Sequence, residues 1–255
     1  MVQTVTSPWW KWKWAFLALA LAAGASLAAG LHRHRELLQE RLLSVLPDQA
    51  AVNPALVEFA VAQAQPLYAK NCAGCHGATM KGSKALGAPD LTDRVWLYGD
   101  GNVRDIERTL LYGVRSGAGK SHNVTDMPAF GLTGKLSEAE IRNVVQYVLR
   151  LSGSPHQAPA ADEGRAVFIK ADCADCHGPD GRGDSNYGAP DLTANVWNSG
   201  GDAESLYKAI YSGQHRVMPG WIGQLSLEQI RALAVYVYSV SHTPAQSNPY
   251  AARTP

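Results

Sequence analysis

The chain has 255 residues, a formal net charge of +1 and a charged fraction of 18%. That length holds one large or two small domains, and the near-neutral balance excludes the strongly basic profile of a nucleic-acid binder. Charge is nonetheless unevenly spread, with 11 Lys/Arg against 8 Asp/Glu in residues 60–151 and 6 against 10 in residues 161–243.

The first predicted element is a membrane anchor over residues 1–33. Ala15 to Leu31 is an uncharged run of 17 residues, near the lower limit of a span of ~20 apolar residues. Trp9, Trp10, Trp12 and Trp14 precede it as an aromatic belt, with Lys11 and Lys13 reaching outward to the headgroups. Ala23-Gly24-Ala25 has the small-residue pattern of a cleavage site, so a signal peptide is the alternative. Residues 34–58 form a connector. Leu38, Leu42, Val45 and Leu46 in it have helical spacing, which fits a short helix leaving the membrane or a solvated spacer.

Next come two copies of one string, Cys72-Ala73-Gly74-Cys75-His76 and Cys173-Ala174-Asp175-Cys176-His177. C-x-x-C-H is the attachment signature of c-type heme: the thiols add to the porphyrin vinyl groups and the histidine becomes the proximal ligand. A redox dithiol has no need of a histidine after both pairs. A four-cysteine zinc site spaces its pairs about 15–20 residues apart, whereas these are displaced by 101. Two covalently bound hemes c are therefore expected. Heme of this type is attached on the outer face of the cytoplasmic membrane. That requirement overrides the weak positive-inside signal of Lys11 and Lys13 against Arg33, Arg35 and Arg41. The expected topology is single-pass in a bacterial inner membrane, with both hemes in the periplasm.

The surroundings of the two strings repeat as well. Gly87-Ala88-Pro89-Asp90-Leu91-Thr92 recurs as Gly188-Ala189-Pro190-Asp191-Leu192-Thr193, Trp96 as Trp197, and Met127-Pro128 as Met218-Pro219. Two tandem domains are implied, 59–151 and 162–242, joined by a linker at 152–161 and followed by a tail at 243–255. Each reads as helical. Ser137 with Glu140 and Ser226 with Gln229 are capping boxes. Ile141, Val144, Val145, Val148 and Leu149 form an apolar stripe behind the first, and Ile230, Leu233, Ala234, Val237 and Tyr238 behind the second. A further helix is expected near Val103–Leu111 and near Asp202–Tyr211. The fold class is all-α: one transmembrane helix followed by two class I cytochrome c domains.

His76 and His177 each supply one axial ligand. Of the four methionines, Met1 lies across the membrane and Met80 is too near His76 to reach the opposite heme face. Met127 for the first heme and Met218 for the second remain, each followed by proline and placed before the last helix. His122 and His215, close to those methionines, are the alternative ligands. Pro89 and Pro190 are expected to shape the loop whose carbonyl orients the proximal ring, Trp96 and Trp197 to wall the heme or bond a propionate, and Arg115 and Arg216 to be propionate partners. Two closed hemes describe a carrier with no catalytic site of its own.

The pattern resembles the diheme subunit (CcoP or FixP) of the cbb-type cytochrome c oxidases. The resemblance rests on the tryptophan-flanked anchor, Asn53-Pro54-Ala55-Leu56, the two G-A-P-D-L-T strings, Trp96-Leu97-Tyr98-Gly99, Met127-Pro128-Ala129-Phe130-Gly131 and Met218-Pro219-Gly220-Trp221. Departures are Trp197-Asn198-Ser199-Gly200 in the second repeat and Leu31-His32-Arg33-His34-Arg35, where the family carries a Tyr-Pro-Gly stretch. The resemblance implies an accessory electron-transfer subunit. Its partners would be a donor cytochrome c or the bc1 complex, a monoheme cytochrome c subunit, a catalytic heme–copper subunit and membrane lipid. A tethered carrier for another redox enzyme and a diheme peroxidase are the competing classes. The acidic second half suits a basic soluble donor, by steering that salt screens.

Overall fold

The computed structural model describes residues 9–122, 126–194 and 197–242. Its named elements are all helices, with only isolated bridges between extended residues. The predicted tail from Thr243, Met1, and the side chains of Trp10 and Lys11 lie outside the described residues.

Helix α1 (Trp9–Ser44) joins the predicted anchor and connector into one element. Its apolar part is long enough to cross a membrane, with a mean hydropathy of 1.9 and nothing packed around it. At 1.5 Å per residue α1 runs about 54 Å, well beyond a hydrocarbon core of ~30 Å. The surplus is used: Leu42 is 1% exposed, and Leu38 and Val45 pack on the globular part. The connector is thus a docked helix.

Helix α2 (Pro47–Ala51) leads to α3 (Pro54–Asn71), which starts where the Asn53 side chain accepts from the Leu56 amide and Pro54 occupies the first turn. The attachment strings form the short helices α4 (Ala73–His76) and α8 (Cys173–His177). Helices α5 (Val103–Tyr112) and α9 (Ala203–Ser212) begin one residue after the caps Asn102 and Asp202. In α6 (Glu138–Leu151) the Ser137–Glu140 capping box forms in full. Before α10 (Leu227–His242), Ser226 and Gln229 exchange the equivalent bonds at 2.9 and 3.3 Å. Helix α7 (Ala158–Lys170) takes Ala158, Pro159 and Ala160 from the expected linker as its first turn, which leaves a connection of only 152–157.

That short connection decides the architecture. Two helices joined by so few residues become antiparallel neighbours, and α6 packs along α7. The C-terminal helix of the first repeat is therefore paired with the N-terminal helix of the second. The remaining pair, α3 and α10, pack on each other across the length of the chain. Both crossings carry an edge-on aromatic pair, Tyr68 with Tyr236 at 6.0 Å and Phe168 with Tyr147 at 5.3 Å. The boundaries expected at 59–151 and 162–242 consequently cut through both cores. One lobe is built from α2–α5 with α10 and the end of α1, around Leu56, Ala60, Val103, Ile230 and Leu233. The other is α6–α9, around Ile141, Val144, Phe168, Leu206 and Ile210.

The exchange is repeated at backbone level. The Trp221 and Ile222 amides donate to the Leu110 and Leu111 carbonyls at the end of α5, at 2.9 and 3.1 Å. The Phe130 and Gly131 amides donate likewise to Ile210 and Tyr211 at the end of α9. Each methionine loop thus satisfies carbonyls that a helix C-terminus leaves open, and the helix belongs to the other repeat.

Two substitutions test this packing. A Cβ on Gly164 would overlap the Asn143 carbonyl of α6, and backbone yields little. Gly164→Ala should destabilise the α6–α9 lobe by about 1–3 kcal/mol or more, read by denaturant unfolding. Arg231 and Glu107 form a buried pair at 2.6 Å, with side chains 10% and 12% exposed. The Arg231 guanidinium also donates to the Leu42 and Val45 carbonyls at the end of α1. Arg231→Ala strands Glu107, so it should cost about 3–5 kcal/mol and loosen α1 from the lobe, seen as faster amide exchange at Leu42 to Val45.

Candidate heme sites

Each attachment helix ends on the histidine that would face iron. His76 Nδ1 lies 3.2 Å from the Pro89 carbonyl oxygen, and His177 Nδ1 lies 3.1 Å from that of Pro190. A carbonyl only accepts, so Nδ1 carries the hydrogen and Nε2 presents a lone pair. Burial lowers the pKa of both rings, against the opposing pull of the same carbonyls, so the neutral, metal-binding form persists at physiological pH.

The proline loops are held by a tight return of the chain. The Gly82 amide donates to the His76 carbonyl and the Gly183 amide to that of His177, at 2.9 and 2.8 Å. Both glycines have positive φ, 74° and 76°, and sit so close to the Ala88 and Ala189 carbonyls that a side chain would collide. Asp90 and Asp191 then brace the exit: each carboxylate accepts from the threonine two residues on, through both amide and hydroxyl, at 2.6–2.8 Å.

Cys72 and Cys173 are half-buried, and burial pushes both thiols up to about 11. Redox-active dithiols need a depressed pKa, so these pairs lack the environment of a disulfide oxidoreductase. Among the described residues no three His, Cys, Asp or Glu side chains gather as a metal cluster.

The methionines arrive crosswise. Met218 exchanges two backbone hydrogen bonds with Val114, both 2.9 Å, and packs against the lobe containing Cys72, Ala73, Leu91 and Trp96. Met127 accepts from the Gln214 amide at 3.1 Å and packs with Cys173, Ala174 and Trp197. The expected pairing, Met127 with the first heme and Met218 with the second, is therefore not the one the packing produces. Met127 shares a cavity of about 680 Å³ with Cys173, Cys176 and His177. The helix exchange carries each methionine loop, together with its C-terminal helix, to the opposite lobe.

The pockets fit a flat, largely apolar group with acidic edges. The indole nitrogens of Trp96 and Trp197 are buried without a protein partner, and a buried donor of that kind calls for an acceptor. The cavity at His177 is lined by Phe130, Val144, Val148, Phe168, Leu192 and Leu206, within the size range of cofactor pockets. The alternative histidines are engaged elsewhere. His122 Nε2 lies 3.2 Å from the Thr109 hydroxyl with its ring stacked on Tyr98, and His215 Nδ1 lies 3.1 Å from Asp126. Met80 has φ 62° and is 3% exposed in the α3–α10 core. The equivalent residue of the second repeat is Gly181 at φ 72°, so the position demands a left-handed turn and its side chain is filler.

Sequence reasoning missed Tyr98, which lies over Gly188 of the other repeat's proline loop. The only hint was its replacement by Ser199 at the repeat offset.

The family model described as cytochrome c oxidase, cbb3-type, subunit III matches residues 59–148 and 159–237. The FixP subunit of the cbb3-type cytochrome c oxidase of Azorhizobium caulinodans is 40% identical over 82% of this chain and 70% of its own length. The CcoP subunit from Cereibacter sphaeroides is 34% identical over 80% and 69%, and FixP from Bradyrhizobium sp. (strain ORS 278) is 42% identical over 74% and 63%. With helical fold, doubled attachment strings and long apolar helix all in place, the chain belongs to the cbb3-type cytochrome c oxidase subunit III family.

Proposed function

We propose that this chain is the diheme electron-transfer subunit of a cbb3-type terminal oxidase. It carries one heme c at Cys72, Cys75 and His76 and another at Cys173, Cys176 and His177. The axial sets are exchanged between repeats: His76 with Met218, and His177 with Met127. The bound heme supplies a one-electron ferrous–ferric couple, and thioether ligation favours the ferrous state. The residues of the chain do the rest. The proline carbonyls hold the imidazoles in register, the methionine loops close the distal faces, and the tryptophans and aliphatic side chains keep water out.

The single observation that carries the reading is that each lobe has both a carbonyl-oriented histidine and a methionine loop hydrogen-bonded into place, which would close a heme from two sides. Sites closed in this way pass electrons without binding substrate. The α1 helix tethers the pair to the membrane, with the lobes on the periplasmic side. Electrons would move from a donor cytochrome c or the bc1 complex, through these hemes and a monoheme subunit, to the heme–copper subunit.

The donor side is read from charge. Around the second attachment helix stand Asp172, Asp175, Asp180 and Asp184, where the first repeat has Asn71, Gly74, Thr79 and Ser83. A basic donor would meet this edge first.

Affinity isolation of the chain from native membranes tests the assignment. Heme b and copper should accompany two hemes c per chain; a chain that emerges with neither heme b nor copper contradicts it. Oxidation of a basic donor should slow as ionic strength rises from 0.01 to 0.15 M, where the screening length shrinks from about 30 to about 8 Å. A flat profile contradicts the docking assignment.

A further inference from the structure

The seam between the lobes holds two arginines, Arg115 and Arg216, and they differ in their charge partners. Arg115 is neutralised: its Nε lies 2.6 Å from Asp126, which also binds His215. Arg216 has no such partner. Among the described residues no carboxylate lies within ion-pair distance of it, and its Nη1 donates instead to the Ser199 hydroxyl at 2.8 Å. Its side chain lies against Gly87, where a Cβ would overlap it. Gly87 begins the loop whose Pro89 carbonyl orients His76. Where the first repeat fills this seam with Tyr98, the second has the smaller Ser199, and Arg216 occupies the space left.

Arg216 also lines the cavity that contains Met127, His177 and Trp197. A half-buried guanidinium without a counter-charge, at the rim of an apolar pocket, is suited to a planar carboxylate taken by two parallel hydrogen bonds. Trp197, with its unpartnered indole N–H, lines the same cavity.

We infer that Arg216 binds a propionate carboxylate of the heme attached at Cys173, Cys176 and His177. The site rests on the two-heme reading above and deepens it. Ser199 is a positioning residue: its hydroxyl aims the guanidinium. Because the same guanidinium lies against the Gly87 loop, this contact joins one heme's acidic edge to the loop that orients the other heme's histidine. The other seam arginine, Arg115, is compensated by Asp126, so the two hemes sit in unequal fields. A cation at a heme edge disfavours the ferric state and raises the potential.

The test uses the full chain with both hemes loaded, as counted by alkaline pyridine spectra. Absence of two hemes c in the unmodified chain would refute the two-heme reading itself; all other results bear on Arg216. Resonance Raman spectra report the propionate bending modes, and spectroelectrochemical titration reports the two midpoint potentials. Arg216→Gln should shift a propionate band and reduce the ferrous-to-ferric ratio of one heme about tenfold at fixed poise, equivalent to 59 mV for one electron. Arg216→Lys should keep the potential, since charge remains, while altering the band, since the fork is gone. Ser199→Ala should shift the same band less, and it decides the matter if Arg216→Gln does not fold. Unchanged propionate bands in the loaded variants, with or without a change in potential, overturn the assignment.

Discussion

The contact on which everything else depends is the packing of α6 along α7. A connection limited to residues 152–157 brings the last helix of one repeat onto the first helix of the next. Those two helices satisfy each other's apolar stripes, so α3 is left for α10. Burying the same kinds of surface, the chain could in principle fold as two separate beads. The short connection favours the crossed solution because it pairs neighbours in sequence at low loop-closure cost, and the long-range α3–α10 pair then closes the structure. The α6–α7 contact is tight enough that Gly164 sits against the α6 backbone.

Function follows from this crossing. Because each C-terminal helix travels with the methionine loop before it, both loops end in the opposite lobe and cap its middle helix. Neither of the proposed heme pockets is then complete within a single repeat. The two sites are linked covalently, through the seam and through the crossed helices, so their separation is set by a shared core. On the proximal side the logic is local: a glycine-hinged return brings a proline carbonyl to the histidine that began the loop. The distal side is long-range and the proximal side short-range. The α1 helix enters through a buried ion pair, with Arg231 tying Glu107 and two carbonyls at the end of α1, so the first attachment lobe is the one fixed to the membrane helix.

Much of this was legible in the sequence, and the division has a physical basis. Helix starts follow from caps at Asn53, Asn102, Ser137 and Asp202, which act within one turn. The histidine–proline geometry follows from a loop of thirteen residues. The pairing of helices does not follow, because α6 and α10 each offer α3 an apolar surface behind the same kind of cap, and an internal duplication makes them interchangeable in sequence. A linker judged by Pro and Ser content looked longer than it is, since Pro159 opens α7. Residues 33–46 looked like a separate segment because their charges mask continuity with the apolar run, although Leu42 is buried against the lobe. Tyr98 escaped notice, and Arg216 was legible as a propionate partner but not in its place against Gly87, for a related reason: both contacts exist only at a seam that the crossing creates.

The most direct measurement isolates one heme and asks which methionine it uses. A full-length chain with Cys173 and Cys176 replaced by serine holds only the first heme, and the near-infrared charge-transfer band of a thioether-ligated ferric heme reports its distal ligand. In that chain, Met218→Ala should abolish the band and Met127→Ala should leave it intact. Loss of the band on replacing Met127, with Met218→Ala silent, would contradict the crossed architecture and restore two self-contained domains.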